Sequence, residues 1–301
     1  MRFRLSFAAL TVVVLAMPAV AVAAEPLRVV VTVAPVHSLV ARVMAGVGEP
    51  SLLMAPGTSP HGFAIKPSQA RRLHDAQVVF WVGADLEAFL EKPLVGLSVR
   101  SKVVELVRVD GLELLASRPA GDWTDAEHGD GKDPHIWLDP RNAQAIVRTV
   151  VQVLGDADPA NTVTYAANGA NAVSDLVRLE ADLRNRLMPV ADRPYVVFHD
   201  AYGYFERRFS LHPVGAVMNS PDRRPGARRL AQLRQAMQET GVGCVFVEPQ
   251  VKPALAETLA RGTGARLAML DPMGAGLNTG PALYEKLMEN LAAALVECLA
   301  N

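Results

Sequence analysis

The sequence predicts an α/β protein of two (β/α) lobes with parallel sheets, joined by one long rigid helix. Three observations carry this reading. Short β-branched runs alternate with helical stretches in both halves of the chain, the pattern of parallel β/α units with buried strands. A proline-free stretch with helical spacing of apolar residues separates the halves, at residues 160–188. Half of the 301 residues are hydrophobic, enough for two lobes of about 130 residues to bury sizeable cores.

The chain opens with Arg2 and Arg4, an apolar core at 5–17 and a small-residue zone at 21–24. That is the layout of a secretory signal peptide. The alternative, a membrane anchor, needs about 20 apolar residues, and this run breaks at Pro18. No cysteine follows the zone, which excludes a bacterial lipid anchor there. Residues 1–24 are therefore expected to be a signal peptide cleaved near Ala23 or Ala24, leaving a soluble chain in the periplasm. Residues 25–158 form the expected N-terminal lobe, 159–189 the connecting helix and 190–301 the C-terminal lobe. Losing Arg2 and Arg4 moves the formal net charge from −1 to −3, so no nucleic-acid or membrane-surface partner is expected, and the chain is expected to be a monomer.

In the first half, strands are expected at 27–33, 51–54, 77–82 and 102–106, with helices at 37–45, 67–75 and 85–91 between them. Residues 117–133 break the alternation. They are rich in Gly and Asp, hold five acidic residues from Asp122 to Asp133 and a single His128, and read as a surface loop. Asn142 is read as the cap of a helix running to about Leu154. Pro159 then opens the long helix and Pro189 stops it. About 29 residues would span roughly 43 Å, enough to run along both lobes. Gly169 weakens it locally by about 1 kcal/mol relative to alanine. The second half repeats the style, with strands at 195–198, 214–218, 244–247 and 266–270 and helices at 202–209, 226–240, 253–263 and 281–299.

Chemistry concentrates in three histidines far apart in sequence. They are His61 in Ser-Pro-His-Gly, His135 in Asp-Pro-His-Ile-Trp-Leu-Asp-Pro and His199 in Val-Val-Phe-His-Asp-Ala-Tyr-Gly. Each follows a short β-like run, as does Asp271 in Arg-Leu-Ala-Met-Leu-Asp-Pro. In open α/β sheets ligands bind beyond the carboxyl ends of strands. Three imidazoles and a carboxylate converging there make a nitrogen-rich site suited to zinc, in a cleft between the lobes. The two cysteines, Cys244 and Cys298, point to a disulfide in an exported chain, with two buried free thiols as the alternative. Such a bond closes a loop of about 54 residues, worth on the order of 3–4 kcal/mol in the chain-entropy model.

Four segments carry a family resemblance. They are residues 81–93 (Trp-Val-Gly-Ala-Asp-Leu-Glu-Ala-Phe-Leu-Glu-Lys-Pro), 133–140, 196–206 and 244–250 (Cys-Val-Phe-Val-Glu-Pro-Gln). In order and over the whole mature chain, the sequence resembles the ZnuA family of periplasmic zinc-binding proteins, within the cluster A-I solute-binding proteins of ABC importers. The resemblance implies one principal Zn²⁺ between two lobes, with His61 and His135 from the first, His199 from the second, and Asp271 completing or flanking the set. It also places the Cys244–Cys298 disulfide in the second lobe. The implied partner is an inner-membrane zinc permease with its cytoplasmic ATPase. Relatives specialised for manganese or iron commonly carry a carboxylate at the position of His199.

Two departures matter. Pro60 stands where some relatives have a glutamate that assists coordination, which shifts the fourth ligand to Asp271 or a water. The loop that is histidine-rich in many relatives holds only His128 here. Asp139, Asp200 and Glu248 are candidates to orient the ligands by hydrogen bonds, with ordinary caps or ion pairs as the alternative. His37, His74 and His212 read as structural or surface residues, and Trp81, Trp137, Tyr202 and Phe205 as packing around the site. The chain is not expected to be an enzyme: it has no His-Glu-x-x-His helix, and an exported zinc hydrolase would need an open metal position with a general base beside it. A manganese or iron importer component is the other alternative. Binding needs neutral imidazoles, so affinity is expected to fall below about pH 6. Release is expected to use small lobe or loop movements near His61 and His199, because a helix bridging the lobes resists wide opening.

Overall fold

The β-branched runs become short strands, each followed by a helix. In the first half these are β1 (Val29–Val31), α1 (Ala34–Val43), β2 (Ser51–Leu52), α2 (Pro67–Asp75), β3 (Val78–Trp81), α3 (Ala84–Glu87), α4 (Glu91–Leu97) and β4 (Lys102–Glu105). Two longer helices follow, α5 (Pro140–Ala157) and α6 (Thr162–Leu187). The second half holds β5 (Tyr195–His199), α7 (Gly203–Phe209), β6 (Pro213–Met218), α8 (Ala227–Thr240), β7 (Cys244–Val247), α9 (Ala254–Ala260), β8 (Arg266–Met269) and α10 (Leu283–Leu299). This computed structural model describes residues 25–97, 99–118, 131–218 and 225–300. The expected signal peptide and His128 with most of the acidic stretch lie outside the described residues.

Each half builds one four-stranded, all-parallel sheet, in the orders β2-β1-β3-β4 and β6-β5-β7-β8. The two halves share one topology: the second strand lies outside the first, and the third and fourth continue on the other side. Successive side chains of a strand face opposite ways, and the core divides accordingly. Val29, Val31, Val78 and Phe80 of the first sheet join Tyr195, Val197, Cys244 and Phe246 of the second in one continuous apolar core. The alternate residues Val30, Val79 and Trp81 meet Leu73 of α2 and Leu94 of α4 in a separate outer core. Val196, Phe198, Val245 and Val247 meet Leu233 of α8 and Leu259 of α9 in another. The shared core is filled by α1, α5, α6 and α10, which pack on one another between the sheets.

The connecting helix is continued at both ends by single 3₁₀ turns, Pro159–Asn161 and Met188–Val190. Gly169 has a packing reason. A Cβ there would collide with the Val151 side chain on α5, so glycine permits the close crossing of the two helices. The terminal helix also ties the halves together. The Ser38 hydroxyl donates to Pro281 O at 3.0 Å and accepts from Tyr284 N at 3.0 Å, and Arg42 of α1 pairs with Glu285 of α10 and Asp175 of α6.

Two local expectations are corrected. Asp139, not Asn142, caps α5: its carboxylate accepts from Arg141 N at 2.8 Å. Asn142 lies one turn in, and its carboxamide makes a two-way bond with the Glu113 backbone. The helix expected at 85–91 is broken by a 3₁₀ turn at Ala88–Leu90, and α4 begins beyond it. Pro93 falls in the first turn of α4, where no intrahelical N–H bond is lost.

Cys244 in β7 and Cys298 in α10 are bonded, 54 residues apart. The bond fixes the terminal helix to the second sheet. Reducing it, or replacing both cysteines by serine, is expected to lower stability by about 3–4 kcal/mol and the melting temperature by about 10 °C. Thermal melts with and without reductant test this; coincident curves would contradict it.

Candidate metal centre

The three histidines converge although their elements differ. Only His199 ends a strand, β5. His61 lies in the connection after β2, several residues beyond the strand's end, and His135 precedes a 3₁₀ turn at Ile136–Leu138 with no strand before it. Their rings nevertheless form a near-equilateral triangle, with centroids 5.5 Å (His61–His135), 5.0 Å (His61–His199) and 5.1 Å (His135–His199) apart. One nitrogen from each lies within 4.8 Å of the others, the sole such metal-competent group of His, Cys, Asp or Glu among the described residues. Around tetrahedral zinc, with bonds near 2.0–2.1 Å, the nitrogens would sit about 3.4 Å apart. A small inward movement of side chains closes that gap.

Each imidazole is oriented differently. The Asp133 carboxylate accepts from both the His135 backbone N–H at 2.9 Å and Nδ1 at 2.8 Å. This assigns the proton to Nδ1 and leaves Nε2 as a donor to metal. Nδ1 of His199 faces Glu248 Oε1 at 3.4 Å, within ion-pair reach. Nε2 of His61 is buried with no protein partner. The Trp137 ring packs against His135 at 5.4 Å and its Nε1 donates to Pro272 O at 3.0 Å, while Tyr202 donates to Leu270 O at 2.8 Å. These bonds hold the His135 and His199 segments against the loop that follows β8.

Asp271 is not in this group. Its carboxylate turns into its own loop and accepts the N–H groups of Met273 at 3.0 Å, Gly274 at 3.0 Å and Ala275 at 2.5 Å. The acids that face the histidines are Asp133, at His135, and Glu248, at His199. Asp200 and Asp139 are engaged elsewhere. Asp200 and Glu206 both pair with Arg118, and Asp139 pairs with Arg208 besides capping α5. Arg118 comes from the first half and its two acids from the second, so a buried ion-pair cluster spans the halves next to His199. Tyr204 spans them too, donating to Asp133 O and accepting from Leu115 N. The remaining histidines stand apart. His37 is buried and bonded to Pro50 O at 2.9 Å, while His74 and His212 are exposed beside Asp75 and Asp192.

Sequence reasoning passed over Asp133 and Arg118. The signal for Asp133 was present, since an Asp two residues before His across a proline can close an Asx turn onto it. Arg118 carried no local signal, because its partners lie 82 and 88 positions away.

The electrostatics set the protonation state. Burial pushes His61 down to about 2, helped by repulsion from the other two imidazoles. Burial also holds His135 well below its ordinary value. For His199 burial acts the same way, but the Glu248 carboxylate, with Asp200 and Asp133 beyond it, outweighs burial and raises the pKa. Two imidazoles are thus neutral at pH 7, and the third titrates above its ordinary value. Where His199 still carries its proton, a metal has to displace it. Affinity is therefore expected to fall by about tenfold per pH unit as pH drops through the raised His199 pKa, starting above the pH of about 6 that ordinary imidazoles imply. Competition titrations across pH 5.5–8 check this, and Glu248→Gln should shift the onset downward. A three-proton slope would contradict it.

Two parallel-sheet lobes around a common helical layer, with three inward imidazoles in the cleft, define a two-lobed binding protein with a nitrogen-rich metal pocket. The profile of the family described as "Zinc-uptake complex component A periplasmic" matches residues 29–298. The chain belongs to this ZnuA family. It is similar to the "High-affinity zinc uptake system protein ZnuA" of Brucella suis biovar 1 (strain 1330), with 37% identity over 312 residues, 93% of each chain. Its counterpart in Yersinia pestis is 33% identical over 288 residues, covering 90% of this chain and 91% of that one. Among solved structures, "Crystal structure of 138-173 ZnuA deletion mutant plus zinc bound" superposes with a TM-score of 0.77 at 25% identity, over 91% of this chain and 98% of that one.

Proposed function

We propose that this chain is a high-affinity periplasmic zinc-binding protein that hands Zn²⁺ to an inner-membrane permease driven by a cytoplasmic ATPase. The triangle of His61, His135 and His199 carries the reading. Imidazole nitrogen suits zinc, whereas manganese favours oxygen-rich sets. Zinc is cargo here. The three histidines are its protein ligands, Asp133 and Glu248 orient two of them, and no step of covalent chemistry is assigned to the site. Membership of a zinc-uptake family supports this, as do the zinc-uptake names of its relatives. No helix among the described residues is long and apolar enough to cross a membrane. Residues 1–24 act as the cleaved export signal on this reading.

Retention and release follow from the fold. The continuous core between the sheets opposes wide separation of the lobes, so release uses the loop carrying His61 and the end of β5. The test is calorimetric titration of chelator-stripped protein with zinc and, separately, manganese, with bound metal counted. One-to-one zinc binding that manganese does not displace is expected. Preference for manganese would overturn the assignment.

A further inference from the structure

The loop after β8 touches the segment of every histidine in the triangle. It reads Asp-Pro-Met-Gly-Ala from Asp271 to Ala275. An Asp side chain readily bonds backbone N–H groups a few residues on, and this carboxylate collects three of them. Pro272, Met273 and Gly274 are buried, so water is a poor substitute for the carboxylate there. Three neighbours then rest on the shape it imposes. Pro272 O accepts from Trp137 Nε1 at 3.0 Å, and the Trp137 ring packs on His135. Leu270 O, at the loop's entry, accepts from the Tyr202 hydroxyl at 2.8 Å, just beyond His199. Ala275 meets the loop that carries His61: a Cβ at Gly57, whose φ is +78°, would lie only 3.3 Å from the Ala275 methyl. Glycine permits that close approach of backbone. Met273 anchors the loop in the common core with Leu283 and Leu287 of α10.

Resting on the zinc reading above, we propose that Asp271 is a positioning residue for the metal site and not one of its ligands. By clasping residues 273–275 it holds one loop against the supports of His61, His135 and His199 together. His61 depends on it most. The rings of His135 and His199 are also steered by Asp133 and Glu248, whereas His61 relies on the seat of its loop against Ala275. Without the carboxylate the N–H groups of 273–275 lose their common acceptor and the loop loosens. The three nitrogens then lose the surface that sets their spacing, and a metal has to order it on binding.

The experiment compares the mature chain with Asp271→Ala and Asp271→Asn. Asparagine keeps a carbonyl oxygen for the turn and is a natural residue in such turns. Zinc affinity, from chelator competition well below the melting temperature, should fall by about 10–100-fold in Asp271→Ala, the range for groups that act behind the ligands. Asp271→Asn should recover most of it. The visible band of Co²⁺, which reports the coordinating atoms, should be the same in Asp271→Asn as in the parent. Hydrogen exchange of the metal-free Asp271→Ala protein should quicken at 57–62 as well as at 273–277; a purely local role would quicken only the second. Should Asp271→Ala fail to fold, the cobalt band and exchange of Asp271→Asn carry the same test. A band that moves in Asp271→Asn makes Asp271 a ligand and overturns the proposal, leaving the zinc reading standing. So does unchanged zinc affinity in Asp271→Ala, or faster exchange confined to its own loop. A parent protein that takes up neither metal overturns both readings.

Discussion

His199→Ala lowers zinc affinity by more than the roughly 100-fold that follows loss of an orienting group outside the coordination shell. The substitution removes one of three nitrogens and leaves Glu248, whose Oε1 lies 3.4 Å from His199 Nδ1, as an uncompensated buried acid. Glu248 cannot simply take over, because carboxylate in place of imidazole weakens the site's selection of zinc over manganese. His199→Gln is the fuller-sized companion that keeps the strand end packed. Chelator competition on both variants measures the effect. If His199→Ala held zinc within about tenfold of the parent, less than an outer partner's contribution, the metal would be elsewhere.

Arg118→Met destabilises the metal-free protein by about 3–5 kcal/mol. The reason is asymmetric. The side chains of Asp200 and Glu206 are only 7% and 4% exposed, and removing their cation leaves two buried acids facing each other. Burial already raises the Glu206 pKa despite Arg118. Without the cation Glu206 takes up a proton more readily, so the penalty should be largest near neutral pH and shrink as pH falls and Glu206 neutralises. Asp200 follows His199 directly, so zinc affinity should also drop, by about 10–100-fold. Denaturant unfolding at two pH values, with zinc competition alongside, separates these effects. A loss below about 1 kcal/mol would mean the cluster behaves as a solvent-exposed pair.

The sequence disclosed those features that local chemistry decides. Pro67 opens a helix, β7 falls on the run predicted for it, and α8 ends at Thr240 as expected, with Gly241 after it in a left-handed turn. The convergence of the three histidines was legible because imidazole is a conspicuous residue type, although only His199 stands at a strand end as the strand-end rule requires. What stayed hidden depends on contacts between distant segments. Asn142 looked like a cap until its bond to Glu113 could be seen. Gly169 looked like a weak point until Val151 appeared across from it. Asp271 had the right position for a ligand, but whether its carboxylate faces the cleft or its own loop depends on the backbone of 273–275, which no side-chain pattern encodes.

The alternation of strand residues between a common interior and two outer layers makes the lobes thermodynamically inseparable. Neither sheet can melt without uncovering the helices that the other needs. Unfolding should therefore be one transition, and the ion bound at the seam stabilises everything at once, by about 4 kcal/mol at a thousandfold excess over its dissociation constant. A single melting curve then reads out occupancy for the whole molecule, wherever along the chain the reporting group is attached.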